Sequence, residues 1–225
     1  MATDSVTPAP AAPIPADQNQ QNAVDKRILG VLPNYRTVQD TGDVPPISAK
    51  GKIIIGLKDS FDYPIYLLSA TFAGLYQLEN QNPSYGQGVK GYARRFGASV
   101  GDNVIGNMMT EGFMSAALHE DPRYFRQGAS YGGVGHRMFY ALTRVLVTKT
   151  DSGRNSFNFA EVGGNAIAVA ISNSYEPDTR TAHQNIEKLG VQIGTDAISN
   201  VIKEFWPDIK AKWRARHSGN DAGGE

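Results

Sequence analysis

Apolar residues recur at spacings of three to five along most of the chain, and that rhythm predicts helices. Val89, Tyr92, Phe96, Val100, Val104, Met108 and Phe113 follow it, with Ala93, Ile105, Met109 and Ala116 beside them, predicting the longest helix over about 86–119. Before it, YPIYLLSATFAGLYQL (63–78) carries no charge, and Asp62 and Pro64 supply an N-cap and a first-turn proline. Ser48 is a cap for a short element over 49–59, where Ile53, Ile54, Ile55 and Leu57 suit a helix or a strand. HRMFYALTRVLVTK (136–149) reads as an amphipathic helix and NFAEVGGNAIAVAISNS (158–174) as a small-residue helix. A last helix over about 179–206 carries Ile186, Leu189, Ile193, Ala197, Val201 and Phe205, with Asp178 as its cap and Pro207 breaking or kinking it. SYGGVG (130–135) is a hinge, and TDSGRNS (150–156) is a turn that stops a helix and reverses the chain.

The expected fold is therefore all-α, a single bundle of five to six helices over 48–214. A disordered Ala/Pro-rich tail over 1–24, an extended arm over 25–47 and a disordered tail over 215–225 complete the chain. Its 225 residues can bury a substantial core. The 24 glycines, many inside helical patterns, each cost about 1 kcal/mol against alanine, so close helix packing is expected in return. Gly97/Gly101 and Gly190/Gly194 form two G-x-x-x-G pairs, faces suited to self-association.

Charge and cysteine content then narrow the function. The formal net charge is zero, which argues against nucleic acid as a partner. With no cysteine, the chain has no disulfide, thiolate metal site, cysteine nucleophile or lipobox-type anchor. The N-terminal stretch lacks the charged and apolar regions of a signal peptide, and it suits the start of a mature exported protein.

Membrane contact is the next question. Segment 63–78 makes roughly 24 Å of helix, short of a hydrocarbon core of about 30 Å. Asp102, Glu111, Arg144 and Glu161 interrupt the other apolar helices. Lying on a membrane is easier: Tyr63, Tyr66, Phe72 and Tyr76 are interface-like, and Lys210, Lys212, Trp213, Arg214 and Arg216 suit an anionic surface. A buried central helix and a solvated basic terminus account for the same residues.

The densest group of ionisable residues is LHEDPRYFRQG (118–128). It is not the zinc motif H-E-x-x-H, because no second histidine follows one turn on. The four histidines lie in separate segments, so no metal site is expected. No Glu precedes a histidine by three, as a di-iron bundle requires, and no cofactor fingerprint or nucleophile elbow is present. TDSG supplies a serine but places no base beside it. The candidate catalytic residues are His119, Glu120, Asp121, Arg123 and Arg126, with Glu111 and Glu161 from apolar helices nearby. The competing reading is structural: Pro122 turns the chain, Arg123 and Arg126 offset the acids, Tyr124 and Phe125 pack back, and Glu111 and Glu161 pair with Arg94, Arg95, Arg137 or Arg144.

ILGVLPNYRTV (28–38), KDSFD (58–62), GQGVKGYARRFGA (86–98), LHEDPRYFR (118–126), TKTDSG (148–153) and EFWPDI (204–209) together resemble a family of uncharacterised, typically exported bacterial proteins best represented in acidobacteria. The resemblance covers about 28–212. It implies a place in the cell envelope, periplasmic or outer-membrane associated, and carries over no activity, cofactor or catalytic residue. The leading expectation is a non-enzymatic structural or binding protein of the envelope at a membrane surface. The alternative is a hydrolase or a lipid- or small-molecule-binding enzyme with its site at HEDPRYFR. The two differ in whether those side chains converge on a pocket or close on one another.

Overall fold

The computed structural model describes residues 27–28, 32–34, 36–40 and 44–218. The expected tail over 1–24 and the chain beyond Ser218 lie outside them. The described chain is an all-α bundle of six helices: α1 (Ala49–Ser60), α2 (Tyr63–Leu78), a long rod, α5 (Val134–Thr143), α6 (Phe159–Ser172) and α7 (Ala182–Ser218). The rod begins as α3 (Gly88–Asn107), widens into a π-helical segment (Met108–Met114) and ends in one α-turn, α4 (Ser115–Ala117). The local chemistry sets the starts. Ser48 accepts a bond from the Gly51 amide at 3.2 Å, and Asp62 accepts one from the Tyr63 amide at 2.9 Å with Pro64 in the first turn.

Short strands clip the helices together. From the N-terminal arm, β1 (Arg27–Ile28) pairs with β2 (Leu32–Pro33), and β3 (Thr37–Gln39) runs parallel to β5 (Tyr124–Arg126). β4 (Glu120–Asp121), β6 (Val147–Thr150) and β7 (Asn155–Phe157) form a three-stranded sheet. The helix expected over 136–149 therefore stops early: α5 ends at Thr143 and Val147–Thr150 is a strand. Val147 and Thr148 are β-branched, and both edges of this strand find partners. TDSG reverses this hairpin rather than stopping a helix.

The second difference is at Pro207, where α7 continues for 37 residues instead of breaking. Proline leaves the Lys203 carbonyl without its helical donor. The adjacent Glu204 carbonyl accepts from Arg126 Nε at 2.8 Å and Arg137 Nη2 at 3.0 Å, so side chains hold the turn that the ring loosens.

Burial runs against the usual direction. Half of the buried apolar residues among those described are alanines: Ala73, Ala98, Ala141, Ala160 and Ala168. The largest fully buried side chains include Arg95, Lys52 and Glu204. Large apolar side chains instead face outward: Leu67 on α2 is 65% exposed and Phe139 on α5 is 70% exposed. Leu75 and Leu78 on α2, Ile167 and Ile171 on α6, and Ile186, Val191 and Ile198 on α7 do the same. Such an arrangement is the informative departure from ordinary burial. Among the described residues, no helix is long and apolar enough to cross a membrane.

Close helix packing accounts for some glycines only. A Cβ on Gly164 would lie 2.9 Å from the Thr110 backbone, and one on Gly56 would lie 3.1 Å from the Asn107 carbonyl, so α6 and α1 approach the rod where side chains are missing. The G-x-x-x-G faces are different: nothing lies within 4 Å of a Cβ at Gly97, Gly190 or Gly194, and at Gly101 only the Tyr175 ring does.

Candidate functional site

The HEDPRYFR side chains do not converge on one point. His119 takes a left-handed backbone at φ 56° and exposes its imidazole, with Nδ1 at 3.4 Å from Asp151. Glu120 turns inward and caps α6, accepting from the amides of Phe159 at 3.3 Å and Ala160 at 2.8 Å. There its negative charge meets the positive end of the α6 dipole. Asp121 is chelated by Arg123, whose Nη2 lies at 2.6 Å and also reaches the Pro45 carbonyl. Arg126 leaves the segment altogether to pair with Asp208 at 2.6 Å.

That last contact joins a buried network on α7. The Glu204 carboxylate accepts from Tyr124 Oη, the Gln127 and Gly128 amides, and Arg137 Nε at 2.7 Å. Burial, and then the Glu204 charge, push the Tyr124 hydroxyl far above its ordinary range, which keeps it a donor. Tyr124 and Arg126 of HEDPRYFR are thus locked to Glu204 and Asp208 of EFWPDI, with Arg137 of α5 bridging both acids. TDSG is held in the same manner: Lys52 Nζ reaches both Asp151 oxygens, at 2.6 and 2.8 Å, and Ser152 shares its hydroxyl with Thr150.

The chemistry that remains lies inside the bundle. A cavity of about 620 Å³ is bounded by α2, the rod, α6 and α7 and also by residues 121–125 of HEDPRYFR and by β6, a size within the range of small-molecule pockets. Glu111, on the π-helical segment, and Glu161, on α6, both line it. Glu111 pairs with Arg36 of the N-terminal arm, which also holds Asp59 at 2.7 Å; it does not pair with Arg94, Arg95, Arg137 or Arg144. Burial, then Glu111, raise Asp59 well above the carboxylate range. Burial, then Asp196 on α7, raise Glu161 in the same way, while Asn165 donates to Glu161 at 2.8 Å. Lys203 lies beside this group, lowered to about 8 by burial and then by Arg36.

A second acidic centre stands at the other end. Asp102 accepts from the Tyr175 hydroxyl, and burial, then Glu176, raise it to about 6. Glu176 is paired with Lys188 and accepts from Asn82 Nδ2 at 3.5 Å. The Asn82 Oδ1 and Gln192 Oε1 oxygens, both on the cavity wall, are buried and accept no hydrogen bond. Phe72 and Tyr76, stacked at 5.7 Å between ring centroids, form the aromatic side of this end.

Sequence reasoning singled out Glu111 and Glu161, and the structure brings them to one cavity. It missed Asp196, Glu176, Asn82 and Gln192. The signal for the α7 residues is a second stripe, in which Lys188, Gln192, Asp196 and Asn200 repeat every four residues alongside the apolar one. No three or more metal-ligating side chains form a group among the described residues. No protein-family model matches the chain, and neither a curated protein nor a solved structure matches it significantly.

Proposed function

We propose that this chain is a non-enzymatic binding protein of the bacterial cell envelope, seated on a membrane surface by its apolar outer face and holding a small polar molecule in its interior cavity. The observation that carries the reading is the departure from ordinary burial: charged side chains such as Arg95, Lys52 and Glu204 are among the largest buried ones, while leucine, isoleucine and phenylalanine side chains stand exposed on α2, α5, α6 and α7. An apolar exterior needs an apolar neighbour. Trp213 is 60% exposed among Lys210, Lys212, Arg214 and Arg216 at the end of α7, a combination that favours an anionic lipid surface. The open Gly97/Gly101 and Gly190/Gly194 faces offer self-association on that surface. The non-enzymatic part rests on HEDPRYFR, whose acids and arginines are committed to caps and ion pairs while His119 points away.

Flotation with vesicles tests the reading. The full chain is expected to float with vesicles containing phosphatidylglycerol. Lys212→Gln with Arg216→Gln should lower that binding about 30-fold, since each basic residue near an anionic surface contributes roughly 1 kcal/mol. A chain that stays with the soluble fraction in low salt overturns it.

A further inference from the structure

The interior cavity is acidic at both ends, and its wall is short of hydrogen-bond donors. Among the described residues, eight acidic and five basic side chains line it. Four of the five basic groups are already engaged: Arg36 with Glu111 and Asp59, Arg123 with Asp121, Lys149 with Asp40, and Lys188 with Glu176. The cavity acids outside these ion pairs include Asp102 near one end and Asp196 near the other, where Glu161 keeps its proton and shares a hydrogen bond with Asp196. Asn82 lines the cavity and is 6% exposed, and its buried Oδ1 has no donor. The opposite orientation of that amide would set its oxygen against the Glu176 carboxylate, so Glu176 selects the one seen. Gln192 Oε1 is a second acceptor without a donor, one helical turn beyond Lys188. A ligand that satisfies this wall must bring N–H donors and positive charge.

The spacing narrows the shape. Lys188, which faces the Glu176 end, and Asp196, which faces Glu161, are separated along α7 by roughly 12 Å of helical rise. The charge therefore has to be distributed along a chain. A single metal ion does not fit, because no three ligating side chains converge among the described residues. Phe72 and Tyr76 add aromatic faces beside Asp102, a surface suited to methylene groups and to a cation.

We infer that the interior cavity is a binding site for a linear organic polycation of the polyamine class, with one ammonium held at Asp102, Asn82 and Gln192 and another at Glu161 and Asp196. This rests on the small-molecule part of the proposed function and is independent of the membrane part.

Isothermal titration with three probes of equal chain length separates the outcomes: spermidine, neutral 1,8-octanediol and the dianion suberate. Spermidine is expected to bind once per chain, and the other two not at all. Asp102→Asn and Asp196→Asn are each expected to weaken spermidine about tenfold, the effect of losing one charged partner. Glu79→Gln, on the exposed end of α2, should leave binding unchanged, and retained thermal unfolding verifies that each variant folds. Spermidine binding that is insensitive to both cavity substitutions overturns the site. Octanediol or suberate binding as tightly as spermidine overturns the ligand class and leaves a small-molecule site standing. No heat from any of the three overturns the site and the small-molecule reading together.

Discussion

Glu204 sits among four hydrogen-bond donors with 0% of its surface exposed. Its neighbour Arg137 is nearly as buried, so Glu204→Ala would strip the guanidinium Nε of its partner in the interior and leave Asp208 as the remaining carboxylate. Breaking one side of such a pair costs about 3–5 kcal/mol, and the urea midpoint of Glu204→Ala is expected to fall accordingly. Glu204→Gln keeps an acceptor and should cost less. Asp102 behaves in the opposite sense. Its folded value of about 6 lies above that of an unfolded carboxylate. The folded state therefore holds the proton more tightly, so the favourable contribution is complete below pH 4 and is lost as pH rises through 6. Asp102→Asn removes that loss and should be more stable than the wild type at pH 7.5 by about 2 kcal/mol, with no advantage at pH 4. Denaturation midpoints at the two pH values measure it. A less stable variant at pH 7.5 would show that Asp102 is ionised at no cost. The residue proposed to hold a ligand is thus expected to weaken the fold, a common trade at binding sites.

At the scale of elements, Glu120 illustrates what a local pattern reveals and what it hides. From its position after a helix it reads as an acid at an unfavourable C-terminus, yet it serves the N-terminus of α6, about forty residues on. Glu120→Ala should therefore speed hydrogen exchange at the Phe159 and Ala160 amides and cost about 1–2 kcal/mol. Unchanged exchange at those two amides would contradict the capping role. Two helix starts were legible because a cap is local: Ser48, Asp62 and Pro64 act within one turn of themselves, whereas Asp178 accepts from the Ser84 amide and α7 begins at Ala182, where the Gln184 amide donates to Thr181. The strand at 147–150 was not, since one of its two partners, β4, comes from a segment about thirty residues away. Arg36 was hidden for the same reason: the cation that holds Glu111 arrives from the N-terminal arm. Of the candidate site, the two glutamates were visible as charges on apolar helices. Asp196 and Gln192 belong to a polar stripe that reads equally well as a solvated face. Periodicity says that a helix has two faces; it does not say which one points inward.

That ambiguity decides the reading of the whole molecule. An apolar stripe on each helix predicts an apolar core by default; here the stripes of the rod and α7 are mostly half-buried, and further large apolar side chains on α2, α5, α6 and α7 are exposed. Substitution separates the two arrangements, because a leucine that packs a core and one that meets a lipid respond differently to serine. In a core, each such change costs at least about 2–5 kcal/mol. On a surface it stays within about 0.5 kcal/mol. Leu67, 65% exposed on α2, and Phe139, 70% exposed on α5, are the clearest positions. Leu67→Ser with Phe139→Ser is expected to keep the wild-type Tm to within about 4 °C in solution. The same pair should weaken vesicle flotation, since each side chain removes roughly 1.5–3 kcal/mol of apolar burial in the membrane interface. The two readouts must move apart for the lipid-facing reading to hold. A Tm lowered by ten degrees or more would mean that these side chains pack against protein, either within the chain or in a second copy. Flotation that is unaffected while the Tm holds would place the lipid contact elsewhere, on the basic end of α7.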